Sequence, residues 1–405
     1  MAIVKPFSAL VYDLGKAGSP ETVCCPPYDV IPDASVWREK SPYNVIRLEK
    51  PDAGAAPDAG SDPYTGVDPY ADAARLLADW KSKGVLRKTP EAYYLYEIAF
   101  QDGDAGRKSI SGIFAQVKLT PYSEGDVLPH ENTLSKAKED RYRLMMATRC
   151  HISPIYCLYQ DSQHTVLTLT GRYKAEDPAV EFTDDEGVTH RLWIVADPSD
   201  CAAISQSFEN RPLYIADGHH RYETSLRVRE ELGGAASPNG FMFLVDMNHP
   251  GLVVYPTHRI VAGLAGYDEQ ETLARLADAF DIEEGDEPGR NVAVMIGREK
   301  TYRLTYKDET FDGLDVTLLH DHILRPILGI DAANMAAGTN LRYTRDPSEA
   351  LSEVRQGEAQ CAFLINPTRV EQIKAVADAG GKMPQKSTYF YPKLITGLVM
   401  NEFGL

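Results

Sequence analysis

Apolar positions along this chain switch between two spacings, and the switches lay out its elements. Tyr70, Ala73, Leu77 and Trp80 fall three and four residues apart, which puts them on one face of a helix. Asp68-Pro69 offers that helix an N-cap and a first-turn proline, and Gly84 a stop. Elsewhere the apolar runs are short, rich in β-branched and aromatic residues, and bounded by turn residues, as strands require. They predict an opening strand over 5–11, a short strand over 44–48 from which Arg47 emerges, and a hairpin of 93–100 and 110–119. Further strands are predicted over 153–159, 165–169, 180–182 and 189–195, the last two joined by a turn at 184–187. Residues 212–216 form a short apolar run behind a proline, and 222–232 a Glu-, Arg- and Leu-rich stretch stopped by Gly233-Gly234. They predict a buried strand followed by a helix. A central strand over 241–245 is then expected to turn at 248–251 back into 252–255.

The pattern changes around 263–266. Helices follow over 269–280, 315–325, 346–357 and 369–379, with a hairpin of 292–296 and 302–306 and a strand over 361–365. Strands and helices are too interleaved for a sandwich and lack the regular alternation of a Rossmann fold. The expected class is α+β, with mixed and antiparallel strands and helices packed on them. Two parts are expected, 1–265 and a C-terminal α+β portion over 266–405 that could close the same pocket. The Ala-, Gly-, Pro- and Asp-rich stretch 51–67 is expected to be a flexible surface loop.

Composition narrows the function. The 405 residues include 42 basic and 59 acidic ones, a net charge of -17. That argues against a general nucleic-acid or anionic-membrane binder, which needs a basic face. No apolar run reaches the length of a membrane-spanning helix, and residues 1–7 lack the core of a signal peptide, so the expected location is the cytoplasm. The six cysteines form no C-x-x-C pair and suit neither a zinc site nor a disulfide framework. The oligomeric state is not legible.

The chemistry concentrates at Asp217-Gly218-His219-His220-Arg221, the turn between the predicted strand 212–216 and the helix after it. A helix start presents unpaired N–H groups and a partial positive charge, so anions collect there. Gly218 lets the backbone approach a bound group, and His219, His220 and Arg221 add side-chain donors. Asp217 is a carboxylate beside the same spot, suited to a metal ion or a proton. These residues predict a phosphate site with an acid next to it, against the alternative of a surface helix capped by Asp217.

The turn resembles the phosphate-binding turn of the ParB/sulfiredoxin superfamily, whose free-serine kinase carries Asp-Gly-His-His-Arg at that place. Sulfiredoxin's reaction needs a cysteine where this chain has His219, so that activity is not expected. The chain as a whole is identified as a member of the family called domain of unknown function 1015. That resemblance is carried by Pro26-Pro27-Tyr28-Asp29-Val30-Ile31, Asn44 to Leu48, His130-Glu131-Asn132-Thr133, Asp217 to Tyr222, Pro256-Thr257-His258-Arg259 and Met383 to Thr388. The family name gives no function; the resemblance of the turn implies a ParB/sulfiredoxin-like unit that binds ATP, ADP or CTP, with Mg²⁺ expected beside the phosphates. Gly218, His219, His220 and Arg221 would hold those phosphates, and Asp217 would be the metal ligand or would orient the substrate.

Other constellations join the candidate site. His130 and Glu131 precede a predicted helix on which Leu134, Lys138, Arg141 and Met145 share a stripe. A stripe mixing basic and apolar positions suits a pocket wall receiving phosphates or carboxylates. Glu131 is the expected base or a metal ligand, with His130 beside it, against the alternative of a solvated helix start capped by Thr133. Tyr28 and Asp29 are held by two prolines and are a site pair or a structural loop with Asp29 as a cap. His258-Arg259 is a further anion contact or a surface pair at a strand end. Lys386 and Ser387 belong to an aromatic, proline-limited segment that closes the pocket or straps the core. The leading reading is a nucleotide-dependent phosphotransferase acting on serine or another small hydroxylated metabolite. A non-catalytic nucleotide-binding regulator and a metal-dependent hydrolase stay open beside it.

Overall fold

A computed structural model describes residues 2–51, 68–133, 135–234 and 238–404. The loop expected over 51–67 lies, beyond its first residue, outside the described residues. The chain forms two compact units: Met1–Pro129 with Thr133–Leu252 and Pro392–Leu405, and His130–Asn132 with Val253–Tyr391. Both mix strands and helices, and the fold is α+β. The sequence placed a boundary at 265/266; the units instead divide at 252/253, and the last residues rejoin the first unit.

The first unit is built on a ten-stranded mixed sheet. Its strands are β1 (Val4–Lys5), β2 (Phe7–Tyr12), β3 (Leu86–Gln101), β4 (Arg107–Val117), β5 (Val127–Leu128), β6 (Ile155–Tyr159), β7 (Val180–Thr183), β8 (Thr189–Val195), β9 (Leu213–Asp217) and β10 (Gly240–Asp246). The main order is β5-β9-β6-β10-β4-β3-β8-β7, with β1 on β4 and β2 on β3. β3 and β4 are the expected hairpin, paired from Tyr94–Phe114 to Gln101–Arg107. β10 is buried at every position, as its unbroken apolar run requires of a strand covered on both faces. Its alternate residues divide two packings. Met242 and Leu244 join Ile113, Ala115, Ile155, Cys157 and Ile215, while Phe241 and Phe243 join Phe114, Tyr96 and Tyr156 in an aromatic layer.

Helix α1 (Pro69–Ser82) starts where expected, with the Asp68 carboxylate accepting from Tyr70 N, and buries Ala73, Leu77 and Trp80. Two expectations in this unit are corrected. Residues 44–48 are a turn of helix, Ile46–Glu49, rather than a strand. The Asn44 side chain accepts from Ile46 N and donates to Thr22 O, so it starts a turn where an extended chain was expected. Residues 165–169 also belong to a helix, α3 (Thr165–Gly171), after α2 (Ser135–Thr148). Asp161 accepts from the N–H groups of Gln163 and Thr165, and Val166 and Thr170 bury one helical turn apart. Helix α4 (His219–Leu232) follows β9 and is stopped by Gly233.

The second unit holds a six-stranded antiparallel sheet of β11 (His258–Val261), β12 (Phe280–Glu284), β13 (Val292–Ile296), β14 (Thr301–Tyr306), β15 (Leu341–Thr344) and β16 (Cys361–Leu364), in the order β12-β14-β13-β16-β11-β15. One face packs Ile260, Val294, Ile296 and Ala362 on the helix Pro347–Gln356; the other packs Val261, Met295 and Phe363 on Leu276, Leu318 and Ile323. The run 252–255 does not pair with β10 as expected. Val253–Tyr255 pairs with Tyr389–Tyr391.

Candidate functional site

The turn forms at the end of β9. Gly218 sits at φ 93°, a left-handed conformation that glycine adopts without strain, and its carbonyl accepts the first helical bond from Tyr222 N at 3.0 Å. A Cβ at Gly218 would come within 3.0–3.1 Å of the Arg221 guanidinium. Gly218 is thus needed both for the turn and for room. It is also the helix N-cap, so the alternative in which Asp217 caps α4 is set aside.

Arg221 is buried and points back under the turn. It donates to Asp217 Oδ2 at 2.5 Å and to the Pro154 carbonyl. Burial alone would lower its pKa, but Asp217, Asp29, Tyr28 and Glu49 hold it above the usual arginine value. The other Asp217 oxygen, Oδ1, accepts from Lys393 Nζ at 2.5 Å. Burial would raise the Asp217 pKa; Lys393 first, then Arg221, outweigh it and hold the carboxyl far below the ordinary carboxylate range. Asp217 is therefore ionised throughout the neutral range and is a poor proton acceptor.

His219 is buried and His220 half-buried. Burial pushes the His220 pKa down; Glu223 opposes this, and Lys138 and Arg221 add to it. Glu223, one turn further along α4, accepts from Lys138 Nζ at 2.8 Å and from Thr133 Oγ1 at 2.7 Å. Arg141 is buried, its guanidinium 4.1 Å from the Tyr28 ring centroid. It donates to Asp140 at 2.5 Å and to the Glu49 carbonyl at 2.9 Å, and lies 3.4 Å from the Glu49 carboxylate. Glu49 also accepts from Ser153 Oγ at 2.7 Å. Burial pushes the Tyr28 phenol up to about 12, so it stays neutral. Asp29 is exposed.

Tyr28, Asp29, Lys138, Arg141 and Asp217 to Arg221 therefore belong to one charged cluster of the first unit. The sequence did not single out Lys393, Glu49 or Glu223 as members. Arg47 is elsewhere, spanning the carbonyls of Ser41 and Arg38 in a loop brace.

Asp217 does not fit the expected Mg²⁺ site. Both of its oxygens face cations, and among the described residues no three His, Cys, Asp or Glu side chains gather as a metal site would need. Arg221 and Lys393 bring two cations to the one carboxylate of the turn, a balance that suits phosphate oxygens.

The remaining candidates lie in the second unit. His130 is buried, with Nε2 3.2 Å from Thr388 Oγ1 and its carbonyl accepting from Met383 N. Glu131 bridges to Met383, and its carbonyl accepts from Lys382 Nζ at 3.2 Å. His258 and Arg259 are not a surface pair: both are buried in β11. Arg259 donates to the carbonyls of Thr257, Gln385 and Lys386 and lies over the Tyr343 ring. Lys386 takes a left-handed φ of 57°, and Ser387 is buried with Oγ donating to Pro384 O. Arg259 thus braces the segment that carries Lys386 and Ser387.

The family model described as protein of unknown function (DUF1015) matches residues 4–319. The chain belongs to that family. No curated protein matches it. Among solved structures it is similar to a free serine kinase in complex with AMP, at 14% identity and a TM-score of 0.40, over 73% of this chain and 92% of that one. It is also similar to a conserved hypothetical protein from Pyrococcus furiosus, at 15% identity and a TM-score of 0.36, over 69% and 90%. A third likeness is to SbnI with a C-terminal truncation from Staphylococcus aureus, at 13% identity and a TM-score of 0.38, over 68% and 84%. Among the described residues no helix is long and apolar enough to cross a membrane.

Proposed function

We propose that this chain is a nucleotide-dependent phosphotransferase whose first unit, ParB/sulfiredoxin-like in design, holds the nucleotide phosphates at the Asp217–Arg221 turn. The observation that carries this reading is the gathering of Arg221 and Lys393 on the single carboxylate Asp217, at a glycine-led helix start flanked by His219 and His220. Phosphoryl transfer asks mainly for positioning and charge neutralisation, which such donors provide. Asp217 is assigned the role of holding Lys393 and Arg221 in place, not of binding metal or accepting a proton. The base is assigned to Glu131, whose carboxylate belongs to the His130-Glu131 motif. The acceptor is assigned as serine or a related small hydroxylated metabolite, following the resemblance of the turn to that of a free-serine kinase.

A second reading is a regulator that binds nucleotide with little turnover. It is favoured by the ion pairs that already occupy Asp217 and remove it as a catalytic carboxylate. The hydrolase reading loses ground because the donors around Asp217 do not make a metal site. One screen separates the three: ATP, ADP and CTP, with and without serine and with and without Mg²⁺. Phosphate transfer to serine supports the first reading, and binding without turnover the second. Hydrolysis without an acceptor returns the third. No binding of any of these nucleotides would end the first two.

A further inference from the structure

The first unit contains a cavity of about 430 Å³ that the proposed phosphate site does not use. It opens beside the β2–β3 edge, and four strand steps along the sheet (β9 to β6, β10, β4 and β3) separate it from the turn, on the order of 20 Å at the usual strand spacing. Val11, Val23, Tyr94, Leu192 and Leu398 form its apolar walls, and Ile194 at its edge is 41% exposed. A cavity of this size that sets apolar walls beside polar residues such as Asp13, Arg87 and Thr89 has the make-up of a small-molecule site.

Two charged residues line the same cavity, Asp13 and Arg87. Strand register sets their spacing. Val11 lies opposite Arg87, and Asp13 N bonds to Val85 O at 2.8 Å, so Asp13 and Arg87 are diagonal neighbours on one face. Diagonal positions are about 7–8 Å apart. They do not form an ion pair with each other, and among the described residues Arg87 has no ion-pair partner. Asp13 Oδ1 accepts from Gly15 N at 3.1 Å. An acid and a base held apart at an apolar cavity match a zwitterion that bridges them: its ammonium toward Asp13, its carboxylate toward Arg87, its side chain among the apolar walls.

We propose that this cavity binds an α-amino acid with an apolar or aromatic side chain, as a site separate from the phosphate turn. The proposal does not depend on the phosphotransferase reading. The test is titration of the full chain with L-phenylalanine and L-leucine, alongside 3-phenylpropionate and phenethylamine, which each keep one of the two charges. The expected result is saturable binding of the amino acids, with both single-charge analogues about tenfold weaker or more, as loss of a charge-assisted bond implies. Arg87→Ala and Asp13→Asn should each weaken amino-acid binding by a similar factor. Arg87 is exposed and asparagine keeps the Gly15 cap, so both variants should fold, which circular dichroism checks. No saturation by about 10 mM, a concentration that corresponds to affinity too weak for a built site, overturns the proposal. Equal binding of the single-charge analogues overturns it too, as does unchanged binding in both variants.

Discussion

Asp217 is the residue on which the charges of the turn depend. It is mostly buried, and it is tolerated as an anion because Lys393 and Arg221 each take one of its oxygens. Lys393→Met should therefore cost more than a surface lysine, about 1–3 kcal/mol, because it leaves a desolvated carboxylate with one partner. The double variant Lys393→Met/Asp217→Asn should be less damaged than the two single losses added together. Denaturant melts of the four proteins measure this, and strict additivity would show that the pair is not coupled. The same logic ranks the arginines. Arg221→Ala should weaken nucleotide binding by the worth of a charge-assisted bond, about 1.5–3 kcal/mol, whereas Arg259→Ala should leave it nearly unchanged and lower stability instead. Arg259 gives its hydrogen bonds to the carbonyls of Thr257, Gln385 and Lys386 within the second unit. A titration and a melt of each variant settle the ranking, and equal losses of affinity would refute it.

At the scale of elements, the turn works because β9 stops where glycine must begin. Gly218→Ala asks an L-residue for φ 93° and sets its Cβ against the Arg221 guanidinium. A left-handed non-glycine residue costs roughly 1–2 kcal/mol. The melting temperature should fall accordingly, and binding of inorganic phosphate or nucleotide should fall with it, because Arg221 must move. Loss of stability with undiminished anion binding would separate the turn from the site. This element was legible from the sequence, since a proline-bounded apolar run, a glycine and a Gly-Gly stop fix both of its ends. So was α1, where Asp68, Pro69 and the Tyr70–Trp80 stripe all agree. Short runs were less legible. Residues 165–169 have the composition of a strand, and periodicity over five residues cannot separate a strand from a buried turn of helix. Asp161 decides the matter by capping the segment, and Asn44 does the same for 46–49. Lys393 escaped notice as a site member for a different reason. Its importance comes from a contact with Asp217, 176 residues away in the chain, and no local spacing encodes that.

Across the whole molecule, acid should reveal how each unit buries its histidines. Burial pushes His151 down to about 3 and His249 to about 4 in the first unit, and His258 to about 4 and His320 to about 3 in the second. Unfolded, each titrates near 6.5. Between 6.5 and about 4 the unfolded chain therefore holds more protons than the folded one, so stability must fall as the pH falls. The size follows from about 1.4 kcal/mol per pH unit for each histidine that stays neutral, or roughly 1–2 kcal/mol each by pH 5. Carboxylates such as Asp217 act in a separate window. With its folded pKa depressed below the ordinary 3.8, Asp217 stabilises fully above that value and gives the contribution up only as the pH falls further. Loss of stability between pH 6.5 and 5 is thus the signature of the histidines. Urea melts at pH 7.5, 6 and 5 measure it, and if the two units unfold in separate transitions both midpoints should drop. His151→Asn should flatten the response of the first unit by close to one proton while leaving that of the second intact. A midpoint constant from pH 7.5 to 5 would mean that these imidazoles are protonated in the folded protein, and that the packing around them admits a charge.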